Sequence, residues 1–460
     1  MFRKLLIANR GEVAVRVART AHRLGIECVG VASEADRDAS WTRQLDRVVV
    51  LGPPASAESY LAMERIVQAG RQSGCSAVHP GWGFLAESPD FAALCEQWGL
   101  TFVGPRPATM DRLGKKLPAK RAMARAGLEP IPGSLEPLES DEQAQRLARE
   151  IGFPVIVKAD SGGGGRGMRR CDEPQQLSAA IDEAAAEARA AFGDPTVYLE
   201  KYLAGGRHIE VQVLADAFGA AVHLGERDCS VQRKHQKLIE ETPSPGLDDR
   251  QRAELGRAAA EAAARIGYRG AGTVEFLQAP GGEIYFMEMN TRLQVEHPVS
   301  EEVTGIDLVE HQLRVAANQP LALRQEEIGF LGCAIECRIN AEDPNDDFRP
   351  SPGEVTRFDF PAAVDDTAGA RVRVDSHVTA GDEVPPFYDS LLAKVIVHAP
   401  SRAAAIDAMV EVLGAAHIEG VKTTIPLHLE VLDSSAFRSG DYSTAAIPGW
   451  PPADRSGGDA

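Results

Sequence analysis

Several signals are missing from these 460 residues. No apolar run approaches the roughly 20 residues that a membrane-spanning helix needs, so no transmembrane segment is expected. The opening MFRKLLIANRGE has a short apolar run, then charge, and no small-residue cleavage site, so it reads as a first strand rather than a secretory signal. Cysteine is sparse: seven, an odd number with no CxxC, which argues against a disulfide framework and for reduced thiols in the cytoplasm. Cys333 and Cys337 stand four apart in an apolar run and read as core. Positive charge is short too, 49 Lys and Arg against 67 Asp and Glu, a net −18 that disfavours nucleic acid and anionic membrane as partners. An acidic protein that handles an anion must cluster its cations.

What is present reads as more than one domain. The first stretch alternates strand and helix (KLLIAN, a helix over 11–24, ECVGVAS, DRVVVL, SAVHP, LTFVGP), the pattern of a parallel α/β sheet. The turn after its first strand is NRGE, not GxGxxG, so a dinucleotide reading is weak. A hinge-like stretch near 106–131 leads to FPVIVKA, MRRC and TVYLEKYL around an Ala-rich helix near 178–192. HIEVQVLAD, AVHLGERDC and two more strands follow, with helices over 249–266 and 307–318, and the part from about Gly332 is strand-rich (CAIECRIN, EVTRFDF, RVRVDSHV, LAKVIVHA). The tail PPADRSGGDA reads as disordered.

Five groups with chemistry alternate in EMNTRLQVE: Glu288, Asn290, Arg292, Gln294 and Glu296. In an extended backbone they share one face. Just upstream, GAGTVEFLQ and EIYFMEM flank Ala279-Pro280-Gly281-Gly282, a hairpin signal. With Gly281 and Gly282 as loop residues, Pro280 pairs with Glu283 and Glu275 falls opposite Glu288. Like charges across a ladder destabilise, so the pair calls for a cation such as Mg²⁺; two solvated edge acids are the bland alternative. Four consecutive glycines, Gly162 to Gly165 in KADSGGGGRGM, suit backbone N–H contact with phosphate, with Lys158 ending the strand before them; a flexible linker is the alternative. ERDCSVQRKHQK, 226–237, reads as an anion-binding loop or a solvated charge run. His208 opens a strand and Arg338 lies within one, where a buried Arg must be paired.

Taken in order, KADSGGGGRGM, EKYL with RHIEVQ, ERDCSVQRKHQK, GYRGAGTVEF, EMNTRLQVEHPV and ECRINAEDP make the chain resemble biotin carboxylase of the ATP-grasp superfamily, from KLLIANRGE to IEGVKTTIP. The resemblance implies a parallel-sheet α/β N-terminal domain (1–113), an α+β ATP-grasp region (114–320) with a mobile lid over about 132–203, a mixed β-rich C-terminal domain (332–446) and a tail (447–460). It implies phosphorylation of bicarbonate by ATP, with Mg²⁺ or Mn²⁺, to carboxyphosphate, which then carboxylates biotin. By motif match Lys116, Lys158, Glu200, Lys201, Leu203, His208 and His235 would contact ATP, with Gly163, Gly164 and Gly165 over its phosphates. Glu275, Glu288 and Asn290 would hold metal, the first two also facing the nucleotide. Lys237, Arg292, Gln294, Val295 and Glu296 would bind bicarbonate, with Glu296 as base. Arg338 would stabilise the biotin enolate beside Trp82 and Gly83, and Asp389 is a supporting candidate. No Met-Lys-Met biotinylation sequence occurs, so biotin is expected on a separate carrier protein, with a carboxyltransferase and a second copy of this chain as further partners.

Two other readings compete: a different ATP-grasp ligase, which would not need RLQVEHP or ECRIN, and a regulatory nucleotide-binding subunit, which would not keep Lys237, Arg292, Glu296 and Arg338 together. The chain departs from the family's usual pattern at Lys115, where Asp is usual, and at Trp82, where Tyr is usual. Trp82→Tyr is expected to lower the KM for free biotin by restoring a hydroxyl; an unchanged KM would remove position 82 from the biotin contacts.

Overall fold

The computed structural model describes residues 1–161, 167–361 and 369–451. Short apolar runs alternating with amphipathic helices give the expected parallel sheet: β1 (Lys4–Ile7), β2 (Glu27–Ala32), β3 (Arg47–Val50), β4 (Ala77–His79) and β5 (Thr101–Phe102), in the order β3-β2-β1-β4-β5. Helices α1 (Gly11–Arg23), α2 (Met63–Gln72) and α3 (Pro89–Gln97) connect them. α1 lays Val13, Ala14, Val17 and Ala18 against Leu5 and Ile7, the three-and-four spacing of a buried helix face. The NRGE turn has a structural task. Asn9 Nδ2 donates to the carbonyls of Pro80 and Trp82 at 2.6 and 2.7 Å, clamping the HPGWGF loop. Within that loop Gly81 has φ +65°, and a Cβ there would lie 2.9 Å from Val13, so glycine is required.

The stretch read as a hinge contains two helices, α4 (Pro107–Gly114) and α5 (Lys116–Arg125). After them comes a small unit of α6 (Asp141–Ile151), β6 (Val155–Ala159), β7 (Met168–Cys171), α7 (Leu177–Phe192) and β8 (Val197–Lys201), with the antiparallel sheet order β7-β6-β8. Ala144, Val155, Val157, Cys171, Leu177 and Leu199 give it a core of its own. Gly162 to Gly165, including Gly163, Gly164 and Gly165, lie outside the described residues.

The main feature is an eight-stranded antiparallel sheet. It takes β9 (Arg207–Ala215), β10 (Ala221–Arg233), β11 (Gln236–Thr242), β12 (Gly270–Gln278), β13 (Ile284–Asn290), β14 (Cys333–Asn340), β15 (Arg371–Ser376) and β16 (Leu391–Ala399) in the order β13-β12-β9-β10-β11-β14-β16-β15. Helices α8 (Asp249–Arg265), α9 (His297–Thr304), α10 (Leu308–Ala316), α11 (Arg402–Gly414) and α12 (Ile425–Asp433) complete the described fold's longer elements. No described helix is long and apolar enough to cross a membrane.

Across the boundary expected near Gly332 the sheet continues: β11 pairs with β14, Glu240 opposite Glu336 and Ile239 opposite Cys337. Three sequence expectations need correcting. ERDCSVQRKHQK is not a loop but the end of β10 and the start of β11. Cys229 and Val231 bury as strand residues, and the turn is confined to Lys234 and His235 at φ +47° and +67°. EVTRFDF is two short strands, Gly353–Glu354 and Arg357–Asp359, pairing with different partners. In the expected tail, Ile447 and Trp450 pack on the C-terminal core, while 452–460 lie outside the described residues.

The hairpin is right in outcome and wrong at its turn. Ala279, not Pro280, faces Glu283: Ala279 N donates to Glu283 O at 2.7 Å, leaving Pro280, Gly281 and Gly282 as the loop. That shift by one is reversed by a bulge at Met287, since Phe276 faces Phe286 but Glu275 faces Glu288. The bulge also lets Phe286 and Met289, three apart, both enter the core, leaving Glu288 and Asn290 on the other face. Deleting Met287 should therefore close the bulge into a regular ladder that still sets Glu288 opposite Glu275 and Asn290 on the same face, with a urea midpoint close to that of a Gly282 deletion in the loop. A far lower midpoint for the Met287 deletion would show that the bulge itself is needed to hold the strand.

Candidate active site

The alternation of a strand puts Ile209, Val211, Val213, Val274 and Phe276 into the core and turns His208, Glu210, Gln212, Thr273 and Glu275 the other way. Glu210 faces Glu275 on β12 and Arg227 on β10, so acids from neighbouring strands converge. Lys237 from β11 answers them. Its Nζ lies 2.6 Å from Glu210, 3.1 Å from Glu275 and 2.6 Å from Glu296. Burial would lower the Lys237 ammonium, but Glu210, Glu275 and Glu296 outweigh it and hold it well above the usual lysine range. Arg227, fully buried, donates to Glu210 at 2.6 Å, Gln212 at 2.8 Å, Ser300 at 3.0 Å and Thr273 at 3.1 Å.

Beyond Asn290 the strand ends, and the alternation of 288–296 ends with it. Glu288 and Asn290 belong to β13; Arg292, Gln294 and Glu296 belong to a loop that enters α9. Side-chain bonds join the two parts. Asn290 Nδ2 donates to Glu275 at 2.6 Å, Gln294 Nε2 reaches the same oxygen at 3.3 Å, and Arg292 Nη1 donates to Gln294 at 2.8 Å. Glu87, on the loop after HPGWGF, accepts from Thr291 N at 3.0 Å and Arg292 Nε at 2.9 Å.

Glu296 has no solvent exposure and two cations, Lys237 on Oε1 and Arg338 on Oε2 at 2.8 Å. Burial raises its carboxyl, but Lys237, Arg338 and Arg227 outweigh burial and hold it well below the usual carboxylate range. Arg338 is shared: its Nε donates to Glu240 at 2.6 Å. Glu240 is different, because burial outweighs Arg338 and the neighbouring Glu296 adds repulsion, so its carboxyl is pushed up to about 7.

On the side of the small unit, Glu200 is buried between Lys120 and Lys158, 2.7 Å from each. Burial raises Glu200, and the two lysines more than reverse this. Lys116 Nζ stands 3.5 Å from Glu288. His208 Nε2 is 3.0 Å from Glu275, and its Nδ1 is 2.7 Å from Gln232. Lys201 turns to the carbonyls of Gly152 and Phe153, Leu203 is half-buried, and His235 is exposed at the turn. Trp82 is half-buried against the core beside α1, with its carbonyl held by Asn9; Gly83 is exposed. Asp389 accepts from Leu391 N at 3.2 Å, at the start of β16. Glu275 and Glu288, paired across the ladder with Asn290 alongside, form a set of hard oxygen donors that fits Mg²⁺ or Mn²⁺.

Known proteins share this fold. Family models match along the chain: the biotin carboxylase N-terminal domain at 1–110, the carbamoyl-phosphate synthase L chain ATP-binding domain at 115–324 and the biotin carboxylase C-terminal domain at 336–448. Biotin carboxylase 1 of Bacillus subtilis is 50% identical over 445 residues, 96% of this chain and 98% of that protein. The chain belongs to the biotin carboxylase family. The biotin carboxylase domain dimer of Hydrogenobacter thermophilus 2-oxoglutarate carboxylase, solved with MgADP, ADP and bicarbonate, superposes with TM-score 0.91 at 46% identity, covering 96% of each chain. The Campylobacter jejuni biotin carboxylase complex with β,γ-ATP gives 0.92 at 45%, covering 96% of this chain and 98% of that one. The chain is thus an ATP-dependent ligase of the ATP-grasp fold that carboxylates biotin with bicarbonate, using a divalent cation.

Residue-by-residue reading missed Glu87, Lys120, Glu210, Arg227, Glu240 and Lys394. Arg227 and Glu210 stood in quoted motifs, and their strand parity was the available signal; Glu87 and Lys394 carry none in the local sequence.

Glu240 yields a pH prediction. Folded Glu240 keeps its proton to about pH 7, against 4.5 for an ordinary glutamate, so the folded state binds more protons between these values. Its contribution to stability is full below that window and is lost as pH rises through it. Thermal melts of Glu240→Gln and the parent should agree near the acid end and separate in favour of the variant as pH approaches 8. A pH-independent difference would mean Glu240 is ionised throughout.

Proposed function

We propose that the network around Lys237 is the bicarbonate-activating centre, and the observation that carries this is one ammonium shared by Glu210, Glu275 and Glu296 while Arg338 holds the other oxygen of Glu296. Lys237, Arg292, Gln294 and the backbone at Val295 bind bicarbonate, and Glu296 takes its proton. A carboxylate held so far down is ionised at neutral pH but a weak base. Bicarbonate oxygens entering beside it compete for Lys237 and Arg338, which raises the proton affinity of Glu296 when substrate is present. Arg338 can then face the biotin enolate, with Trp82 and Gly83 on the same side.

Lys116, Lys158, Glu200, Lys201, Leu203, His208 and His235 take the nucleotide contacts, and Gly163 to Gly165 close on the phosphates. Glu275, Glu288 and Asn290 would hold the divalent cation, which when bound neutralises phosphate charge and aligns the transfer. The unit over 132–203, with a core of its own, serves as a lid between the domain over 1–113 and the one over 332–446, and its closure shields carboxyphosphate from water. Biotin arrives on a separate carrier protein, a carboxyltransferase passes the carboxyl group to an acyl-CoA or related acceptor, and the chain works as a homodimer in the cytoplasm. The seven free cysteines and the dimeric relative support the last two points.

Purified protein with Mg²⁺ should release phosphate from ATP only when bicarbonate is added, faster with free biotin. Glu296→Ala should cut carboxylation by at least about a hundredfold while ATP affinity is kept; loss of nucleotide binding would instead make Glu296 structural.

A further inference from the structure

Lys394 lies in β16, directly opposite Arg338 of β14, and is completely buried. Its Nζ donates to the carbonyl of Val295 at 3.0 Å and pairs with Glu12 Oε1 at 3.0 Å. Glu12, in the first turn of α1, is itself buried. On the other flank of β16, Asp375 faces Lys394 in register but is engaged by Arg373 at 2.6 Å and Arg19 at 3.0 Å. A buried ion pair is poor value for stability alone, since apolar residues of similar volume often serve as well. This pair reaches a segment of the site that no ladder supports. Between Asn290 and His297 the described chain has no helix or strand. It is held by Glu87 at Thr291 and Arg292, by Lys394 at Val295, and by Lys237 and Arg338 at Glu296. Glu87, Lys237 and Arg338 keep some exposure, whereas Lys394 has none.

We propose that Lys394, backed by Glu12, is a positioning residue for bicarbonate: it fixes the peptide between Val295 and Glu296, and so the aim of the base. The peptide group is planar, so holding the Val295 carbonyl also sets the Glu296 N–H and the direction in which Glu296 leaves the backbone. Lys394 touches no reacting atom. The proposal rests on bicarbonate binding along 292–296.

The test is the double variant Lys394→Met/Glu12→Gln, which removes both charges at nearly constant volume, assayed for bicarbonate-dependent phosphate release. Its KM for bicarbonate should rise roughly tenfold to a hundredfold, as expected when a reacting group is misplaced by about an ångström, with the KM for ATP and the melting temperature little changed. Unchanged values for both substrates, or an equal rise in both, would overturn the proposal, as would a Glu12→Gln single variant matching the double. If the double variant fails to fold, Lys394→Gln reads the same split between the two KM values. Parent protein with no bicarbonate dependence at all would instead defeat the underlying reading of the site.

Discussion

One ammonium group organises this molecule. Lys237 sits among Glu210, Glu275 and Glu296, three carboxylates from a strand, a neighbouring strand and a loop. Without it their mutual repulsion at full burial would be answered only from the edges, by Arg227 at Glu210, His208 at Glu275 and Arg338 at Glu296. Its presence explains why the acids can share a face and why Glu296 is held ionised. Arg227 and Arg338 extend the same logic to either side, each tied to a glutamate of the network. The site is thus built as an excess of buried acid stabilised by a few fixed cations, a surrounding that an incoming anion and divalent cation can both exploit.

The eight-stranded sheet is what makes the arrangement rigid. β11 carries Lys237 and Glu240, β14 carries Arg338, and β16 carries Lys394, so cations recognised in separate parts of the chain are neighbours across one set of ladders. The division at about Gly332 holds for the family models but not for the backbone hydrogen bonds, which run through it. The small unit from α6 to β8, by contrast, has its own core and touches the site through Lys158 and Glu200 near the ends of its strands. A rigid sheet holding the charges and a separately packed unit above them match the needs of phosphoryl transfer, which depends mostly on positioning and charge neutralisation.

Much of this was legible beforehand. The parallel sheet follows from the alternation of apolar runs and amphipathic helices, and the pairing of Glu275 with Glu288 follows from a turn signal. That pairing was reached through two offsetting irregularities, a three-residue loop and the Met287 bulge, neither visible in a count of residues. The five-residue row of 288–296 is real as a cluster but not as a strand, because the backbone leaves the ladder after Asn290 and side-chain bonds take over. The stretch 226–237 forms strands rather than a loop, because Glu226 to Val231 are buried in the sheet in spite of their charges.

The amino-acid sequence by itself determined the fold class and the family, since periodicity and ordered motifs are local properties of the chain. Tertiary structure decided which charges meet. Lys394, Glu12, Glu87 and Glu240 look like ordinary solvated residues in isolation, and whether a charge is buried, shared or shifted depends on partners up to hundreds of residues away. Electrostatic effects of that kind grow as water is excluded, and only the folded chain excludes it.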